Sequence, residues 1–210
     1  MNPKFRNIAL SALAFIFIFA GLFYLSSPAN SKSKTESNFD YAIRVVMAHE
    51  GGLTNDKADK GGETNFGISL RFLKNEHICE NGDCNGDDNE VIHLTQTEAD
   101  QIYFKDWWEK YHYNKIKDKV IAAKIMDSSV NMGASRCHKL VKESIDKVIH
   151  ESIVIDGILD DQTISIINGI DPALLHDAIR KQEESFYNGL IKNHPQFIVF
   201  KNGWLKRADW

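Results

Sequence analysis

The amino-acid sequence predicts a mainly helical protein with one small β-hairpin, preceded by an N-terminal hydrophobic helix. Apolar residues recur at helical spacing along residues 39–49, 120–131 and 136–150. Thr95-Gln-Thr-Glu98 is a capping box, whose hydroxyl and carboxylate bond free backbone amides at a helix start. Asp171-Pro172 places a proline in the first turn of a further helix. Helices therefore account for most of the predicted elements.

The first 38 residues differ in composition from the rest of the chain. Residues 8–25 form an uncharged apolar run, which at about 1.5 Å per residue is just long enough to span a bilayer core. Lys4 and Arg6 precede it, so the positive-inside rule predicts that residues 1–7 stay in the cytoplasm and that the rest is exported. Residues 26–38 are small, polar and without periodicity, which is typical of a flexible linker.

Two outcomes remain open for the apolar run. Its length favours an uncleaved, single-pass signal anchor in the inner membrane with the domain in the periplasm, because the apolar part of a cleaved signal peptide is about 7–15 residues long. Ser27-Pro28-Ala29 loosely resembles a small-residue cleavage site, however. Cleavage there would export the domain free of the membrane.

Net charge limits the classes of binding partner, and the cysteines limit the possible disulfides. The sequence has 25 Lys and Arg against 29 Asp and Glu, a net charge of −4, which argues against a nucleic-acid partner. Export would make Cys79 and Cys84 candidates for a disulfide. Cys137 is then unpaired, and we expect it to be a small buried residue on a helix.

No cofactor and no resident metal are expected from the motifs. The eight histidines include no pair at zinc-binding spacing, which disfavours a zinc peptidase. Asp83, Asn85 and Asp87 are spaced as in a calcium loop, but Asp88 replaces the glycine and Leu94 replaces the final glutamate of that motif. The segment therefore fits a solvated acidic loop, and calcium binding there is left open.

Glu50 has the sequence surroundings of a proton donor. It closes the first helical pattern, and Gly51-Gly52 end that helix, so the carboxyl is fixed in direction and open to a cleft. Partial burial would keep it protonated near neutral pH, as an acid that cleaves a glycosidic bond must be. Asp59 and Thr64 follow in a Gly- and Asp-rich loop or hairpin, where a second carboxylate can attack or activate water and a hydroxyl can hold it. Each of these residues also fits an ordinary turn.

Other candidates for substrate contact lie further along the chain. Trp107 belongs to an aromatic group that forms either a sugar-stacking wall or part of the core; its other members are Trp108, Tyr111 and Tyr113. Asn131 either lines the cleft or makes a hydrogen bond at a helix end. A basic patch around Trp204 fits an anionic wall polymer or a solvated face; it comprises Lys201, Lys206 and Arg207.

The run Glu-Gly-Gly-x3-Asp-x2-Asp-x-Gly-Gly-x-Thr-x2-Gly-Ile at residues 50–68 resembles the signature of glycoside hydrolase family 108. Members of that family are N-acetylmuramidases, a lysozyme-like group that includes phage endolysins and bacterial secretion activators. The resemblance continues through residues 94–108, 127–133 and 186–207. It departs from the family pattern in one turn, at residues 156–163, where Asp160 replaces the second glycine.

The resemblance implies a lysozyme-like helical fold with a muramidase lobe at 39–125 and a peptidoglycan-binding-like lobe at 126–210. It implies hydrolysis of the β-1,4 bond between N-acetylmuramic acid and N-acetylglucosamine, with Glu50 as the acid. Asp59 and Thr64 would position the attacking water; an inverting outcome is favoured, and a retaining one is left open because the sequence gives no carboxylate separation. Trp107 and Asn131 are expected to contact the peptidoglycan.

Two other functions are compatible with the same fold. One is a wall-binding protein without catalytic turnover, and the other is a scaffold that assists secretion and binds a component of a secretion system. Replacement of Glu50 distinguishes both from an enzyme, because neither needs a proton donor.

Overall fold

The computed structural model describes residues 36–50, 64–75 and 89–210. Several predictions from the sequence lie outside these residues: the apolar run 8–25, the linker up to residue 35, Asp59, the Cys79–Cys84 pair, and the loop with Asp83, Asn85 and Asp87. Among the helices described, none is long and apolar enough to cross a membrane. Residues Glu36–Trp210 form one compact unit.

The described part of this unit is mainly helical, as the sequence predicts. Its α-helices are α1 (Asn38–Glu50), α2 (Leu70–Asn75), α3 (Asn89–Ile92), α4 (Gln96–Tyr103), α5 (Lys119–Met132), α6 (Ala134–Ile149), α7 (Asp161–Ile167), α8 (Pro172–Asn193) and α9 (Lys201–Asp209). A π-helical turn at Phe104–Glu109 and two 3-10 segments, Tyr113–Lys115 and Pro195–Phe200, complete the helical elements.

Helix starts follow the capping signals. The hydroxyl of Thr95 accepts the amide of Glu98 at 3.3 Å, and the Glu98 carboxylate accepts the amide of Thr95 at 2.7 Å, so the predicted capping box is confirmed. Helix α1 begins at Asn38. Ser37 takes the capping role, since its hydroxyl accepts the amide of Asp40 at 3.0 Å.

Helix α5 is the centre of the core. It packs against α1, α6 and α8. Its apolar side chains are almost completely buried, including Ile121, Ile125 and Met126. Position 125, where the sequence suggests a division between two lobes, falls inside α5, and that division stays a prediction.

The described part of the hairpin consists of strands β1 (Thr64–Asn65) and β2 (Ile68–Ser69), paired antiparallel. The two residues between them, Phe66 and Gly67, have φ of 52° and 77°, the signs of a type I′ turn. The buried Asn65 amide donates to the carbonyls of Val91, Ile92 and Leu94, which ties the hairpin to the α3 region. The Tyr103 hydroxyl donates to the Phe66 carbonyl at 2.9 Å and fixes the turn.

The turn at residues 156–163 does not need the glycine that the family pattern has at position 160. Asp160 has φ of −75°, which any residue adopts, and it caps α7 by accepting the Thr163 amide at 2.8 Å. Gly157 does need to be glycine. Its φ is +83°, and a Cβ there would lie 2.8 Å from the Ser135 carbonyl oxygen.

Candidate active site

Glu50 is the last residue of α1, and its side chain is 20% exposed. The hairpin turn lies directly against it, because a Cβ built on Gly67 would be 2.7 Å from Glu50 Cγ. Glycine at this position therefore allows the turn and the carboxyl to approach, besides permitting the positive φ. The side chain is held in direction and remains accessible at one side.

A cation from the far end of the chain contacts Glu50. Arg207 of α9 donates from Nη2 to Glu50 Oε1 at 2.5 Å and to Asp127 Oδ1 at 3.1 Å, and from Nε to Asp127 Oδ2 at 3.2 Å. Burial lowers the pKa of Arg207, but the negative charges of Asp127 and Glu50 outweigh it, so the net shift in pKa is upward. The sequence suggested apolar and glycine neighbours for Glu50, and the structure adds this guanidinium.

Asp127 is the centre of this cluster and is fully buried on α5. Besides Arg207, it bonds the His49 ring at 3.1 Å through Nδ1 and accepts the Trp210 indole N–H at 3.3 Å. His49, which precedes Glu50 in the sequence, therefore bonds Asp127. Both Asp127 oxygens are buried, and they accept hydrogen bonds from several donors. Asp127 therefore holds Arg207 in place rather than contacting a substrate. We call Glu50, Arg207, Asp127, His49 and Trp210 the open cluster.

A second buried cation fixes the helix that carries Arg207. Lys124 is fully buried; its Nζ donates to the carbonyls of Arg207 and Ala208 at 2.9 and 3.0 Å. These are unpaired carbonyls at the C-terminal end of α9, where a positive charge is favourable. Lys124 also pairs with Glu183 at 2.9 Å. Burial raises the pKa of Glu183 more than Lys124 lowers it.

The other residues predicted to be catalytic are differently placed. Thr64 begins β1, opposite Ser69, in the hairpin whose turn contacts Glu50. Asp59 lies outside the described residues. The roles of both in holding water stay predictions.

The two residues expected to contact substrate are both half-buried. Trp107 stacks on Phe72 with ring centroids 4.7 Å apart and lies 5.1 Å from the Tyr103 ring. Asn131, one turn after Asp127 on α5, accepts the Tyr187 hydroxyl at 2.7 Å. Substrate contact by either residue stays a prediction.

Two members of the supposed aromatic wall belong to the core. Trp108 is 4% exposed and Tyr113 is not exposed at all. The basic patch predicted around Trp204 is also corrected in one position, because Arg207 points inward to the open cluster while Lys201 and Lys206 remain exposed. Cys137 is a buried free thiol on α6, as expected.

Sequence reasoning missed the pairing of Asp127 with Arg207, which are far apart along the chain. One signal pointed toward it. Lys124 and Asp127 are the two charged residues of the predicted helix 120–131, most of which is apolar. A charged group on a core face must have a buried partner of opposite charge or hydrogen-bonding groups, so distant partners were to be expected.

Comparisons with known proteins bear on the family and the fold. Residues 43–133 match the family model described as Glycosyl hydrolase 108. A solved structure, that of Brucella abortus SagA, is similar with a TM-score of 0.63 and 23% sequence identity, and the match covers 81% of this chain and 89% of that one. At this identity the likeness shows the fold. No curated protein matches the chain.

The matched residues include most of the site. Glu50, Gly67 and Asp127 lie within them, whereas Arg207 lies beyond their end. The chain carries a glycoside hydrolase domain. Residues 43–133 are the part of the chain that is similar to the glycosyl hydrolase 108 family.

Proposed function

We propose that the chain is an N-acetylmuramidase that hydrolyses the β-1,4 bond between N-acetylmuramic acid and N-acetylglucosamine in peptidoglycan. Glu50 is the general acid, and Asp59 and Thr64 position the attacking water. Trp107 and Asn131 contact the glycan strand. The domain acts in the periplasm, held by residues 8–25 in the inner membrane, or exported if these residues are cleaved.

The observation that carries this proposal is the sharing of one guanidinium by two carboxyls of unequal exposure. Arg207 contacts both Asp127 and Glu50, and only Glu50 reaches solvent. Glu50 is therefore the carboxyl of this pair that can reach a bound sugar and act on it as a general acid.

Arg207 also supports the step that follows proton transfer. Glu50 donates its proton to the glycosidic oxygen, the bond from that oxygen to C1 of muramic acid breaks, and a water oxygen bonds to C1 while its proton passes to Asp59. Glu50 is then ionised beside a guanidinium that already bonds it at 2.5 Å. No rearrangement is needed to stabilise the new charge.

Mass spectrometry of the fragments released from purified peptidoglycan tests this function. We expect muropeptides with muramic acid at the reducing end, because a muramidase leaves the anomeric carbon of that sugar free. Fragments that end in reducing glucosamine or in anhydro-muramic acid would contradict the proposed bond or the use of water.

A further inference from the structure

Three consecutive apolar side chains project from the surface between α8 and α9. Ile198, Val199 and Phe200 are 54%, 75% and 51% exposed, at the end of the 3-10 segment Pro195–Phe200. We call these three residues the apolar ridge. Exposed apolar side chains that follow one another in sequence, unlike single scattered ones, indicate a surface that meets another molecule.

The ridge is mounted on packed aromatic rings. Phe200 lies 5.4 Å from Trp204, ring centroid to ring centroid, and Phe197 lies 6.0 Å from it. Trp204 in turn stacks on Tyr187 of α8 at 5.3 Å. The ridge is therefore anchored through Phe200, while Ile198 and Val199 face solvent.

The charge around the ridge is opposite in sign to that of the whole protein. Residues 185–208 contain no Asp or Glu, although the chain has a net charge of −4. Lys192 and Lys201 stand before and after the ridge in sequence, and both are exposed. Within the described part of the chain, neither makes an ion pair. This segment thus complements a partner that has a negatively charged outer layer and an apolar interior.

We propose that the apolar ridge inserts into the surface of a bilayer that contains anionic lipids. Apolar side chains enter the boundary between headgroups and acyl chains, and flanking lysines bind the anionic headgroups. A glycan is a poorer match, because the aliphatic Ile198 and Val199 offer neither a ring face for stacking nor a polar group for sugar hydroxyls. The contact would be weak and reversible, as befits three side chains.

This surface belongs to the folded unit Glu36–Trp210 and is independent of both the apolar run 8–25 and the muramidase function. Residues 36–210 form a compact unit with its own core, so they serve as the test protein. Co-sedimentation is measured with vesicles of phosphatidylcholine alone and of phosphatidylcholine with phosphatidylglycerol. We expect binding to the anionic vesicles, and its loss at about 0.5 M salt, where screening is strong.

Two sets of variants separate the apolar and ionic contributions. Ile198→Ser with Val199→Ser should weaken binding at least about tenfold, since both lose buried apolar area. Lys192→Gln with Lys201→Gln should weaken it about fivefold per lysine on anionic vesicles, because each lysine near such a surface contributes roughly 1 kcal/mol, and should leave binding to neutral vesicles unchanged.

A matched control exists elsewhere on the surface. Val154 and Ile158 are 74% and 61% exposed, but acidic residues surround them in sequence, among them Glu151, Asp156 and Asp160. Val154→Ser with Ile158→Ser should bind vesicles as the parent protein does. The proposal is overturned if the ridge variant binds vesicles normally or if the control pair weakens binding equally. It is also overturned if the ridge variant loses binding to purified sacculi or self-association instead of vesicle binding.

Discussion

Two buried polar clusters are centred on helix α5, one on Asp127 and the other on Ser129. They differ in whether one of their members reaches the protein surface. Asp127 leads through Arg207 to Glu50, whose side chain is 20% exposed. Ser129 leads to the Tyr113 hydroxyl at 2.6 Å and on to His138 Nε2 at 2.8 Å. We call Ser129, Tyr113 and His138 the closed cluster, since none of them is more than 2% exposed.

The two clusters also differ in charge. The open cluster contains a guanidinium and two carboxyls, whereas the closed cluster is neutral. Burial lowers the pKa of His138 to about 4, although its bond to the Gly157 carbonyl works in the other direction. Burial likewise raises the pKa of the Tyr113 hydroxyl. A buried polar network therefore does not mark an active site by itself. What distinguishes the open cluster is a charged group that reaches the surface.

The largest effect is expected from breaking the open cluster with Arg207→Met. Asp127 would be left in the interior without its guanidinium partner, which costs about 3–5 kcal/mol of unfolding free energy. Peptidoglycan hydrolysis should fall about 100-fold, because Glu50 loses the group that orients it. Urea unfolding and a turbidity assay measure the two effects.

Two controls accompany that variant. Arg71→Met replaces an exposed arginine on α2 and should change neither quantity. Adding Asp127→Asn to Arg207→Met should restore part of the stability without restoring activity. If Arg207→Met unfolded at the parent urea concentration, the buried charge pairing described here would be wrong.

Gly67→Ala tests the contact between the hairpin and Glu50. The positive φ and the 2.7 Å approach to Glu50 Cγ should together cost roughly 2–3 kcal/mol and lower hydrolysis about tenfold. Gly189→Ala is the matched control, since nothing lies within 4 Å of a Cβ there. It should stabilise α8 by about 0.5–1 kcal/mol, because alanine is the better helix former. If both substitutions changed stability and hydrolysis equally, the close contact between Gly67 and Glu50 would not explain the effect.

The closed cluster predicts a dependence of stability on pH. Its folded-state pKa of about 4 for His138 lies below the ordinary value of 6.5, so the unfolded chain binds more protons between these two pH values. The contribution to stability is complete above about pH 6.5 and is lost as the pH falls toward 4. From about pH 7.5 to pH 5 the loss is about 2 kcal/mol. Urea unfolding at both values measures it.

His138→Gln provides the comparison. This variant should be less stable at neutral pH, because glutamine cannot bridge Tyr113 and the Gly157 carbonyl in the same geometry. Its stability should, however, fall less between the two pH values than that of the parent protein. An identical pH dependence in both proteins would assign the effect to other groups.

The smallest effect concerns the turn beside the closed cluster. Asp160→Ala removes the cap of α7 and should cost about 1 kcal/mol, whereas Asp160→Gly, which restores the family pattern, should cost only a few tenths. Thermal unfolding distinguishes the two. A larger loss with glycine than with alanine would show that capping is not the role of Asp160.

Local features of the fold could be predicted from the sequence, and distant pairings could not. The capping box at Thr95 and the proline start of α8 depend on neighbouring residues, so their signals are contained in a few positions. Glu50 was predicted to be the acid from its helix end, its glycine neighbours and the family resemblance. Its cation was not, because Arg207 reaches it from 157 residues away through tertiary packing alone. Spacing along one helix also could not separate the buried Trp108 from a surface wall.

The rate of peptidoglycan hydrolysis by Glu50→Gln tests the central claim most directly. Glutamine keeps the shape of the side chain but cannot donate the proton, and Arg207 remains paired with Asp127, so the fold should be retained. We predict a rate lower by about 10²–10⁴-fold, with the exposed Glu184→Gln control unchanged. A folded Glu50→Gln protein that clears peptidoglycan as fast as the parent would contradict the account.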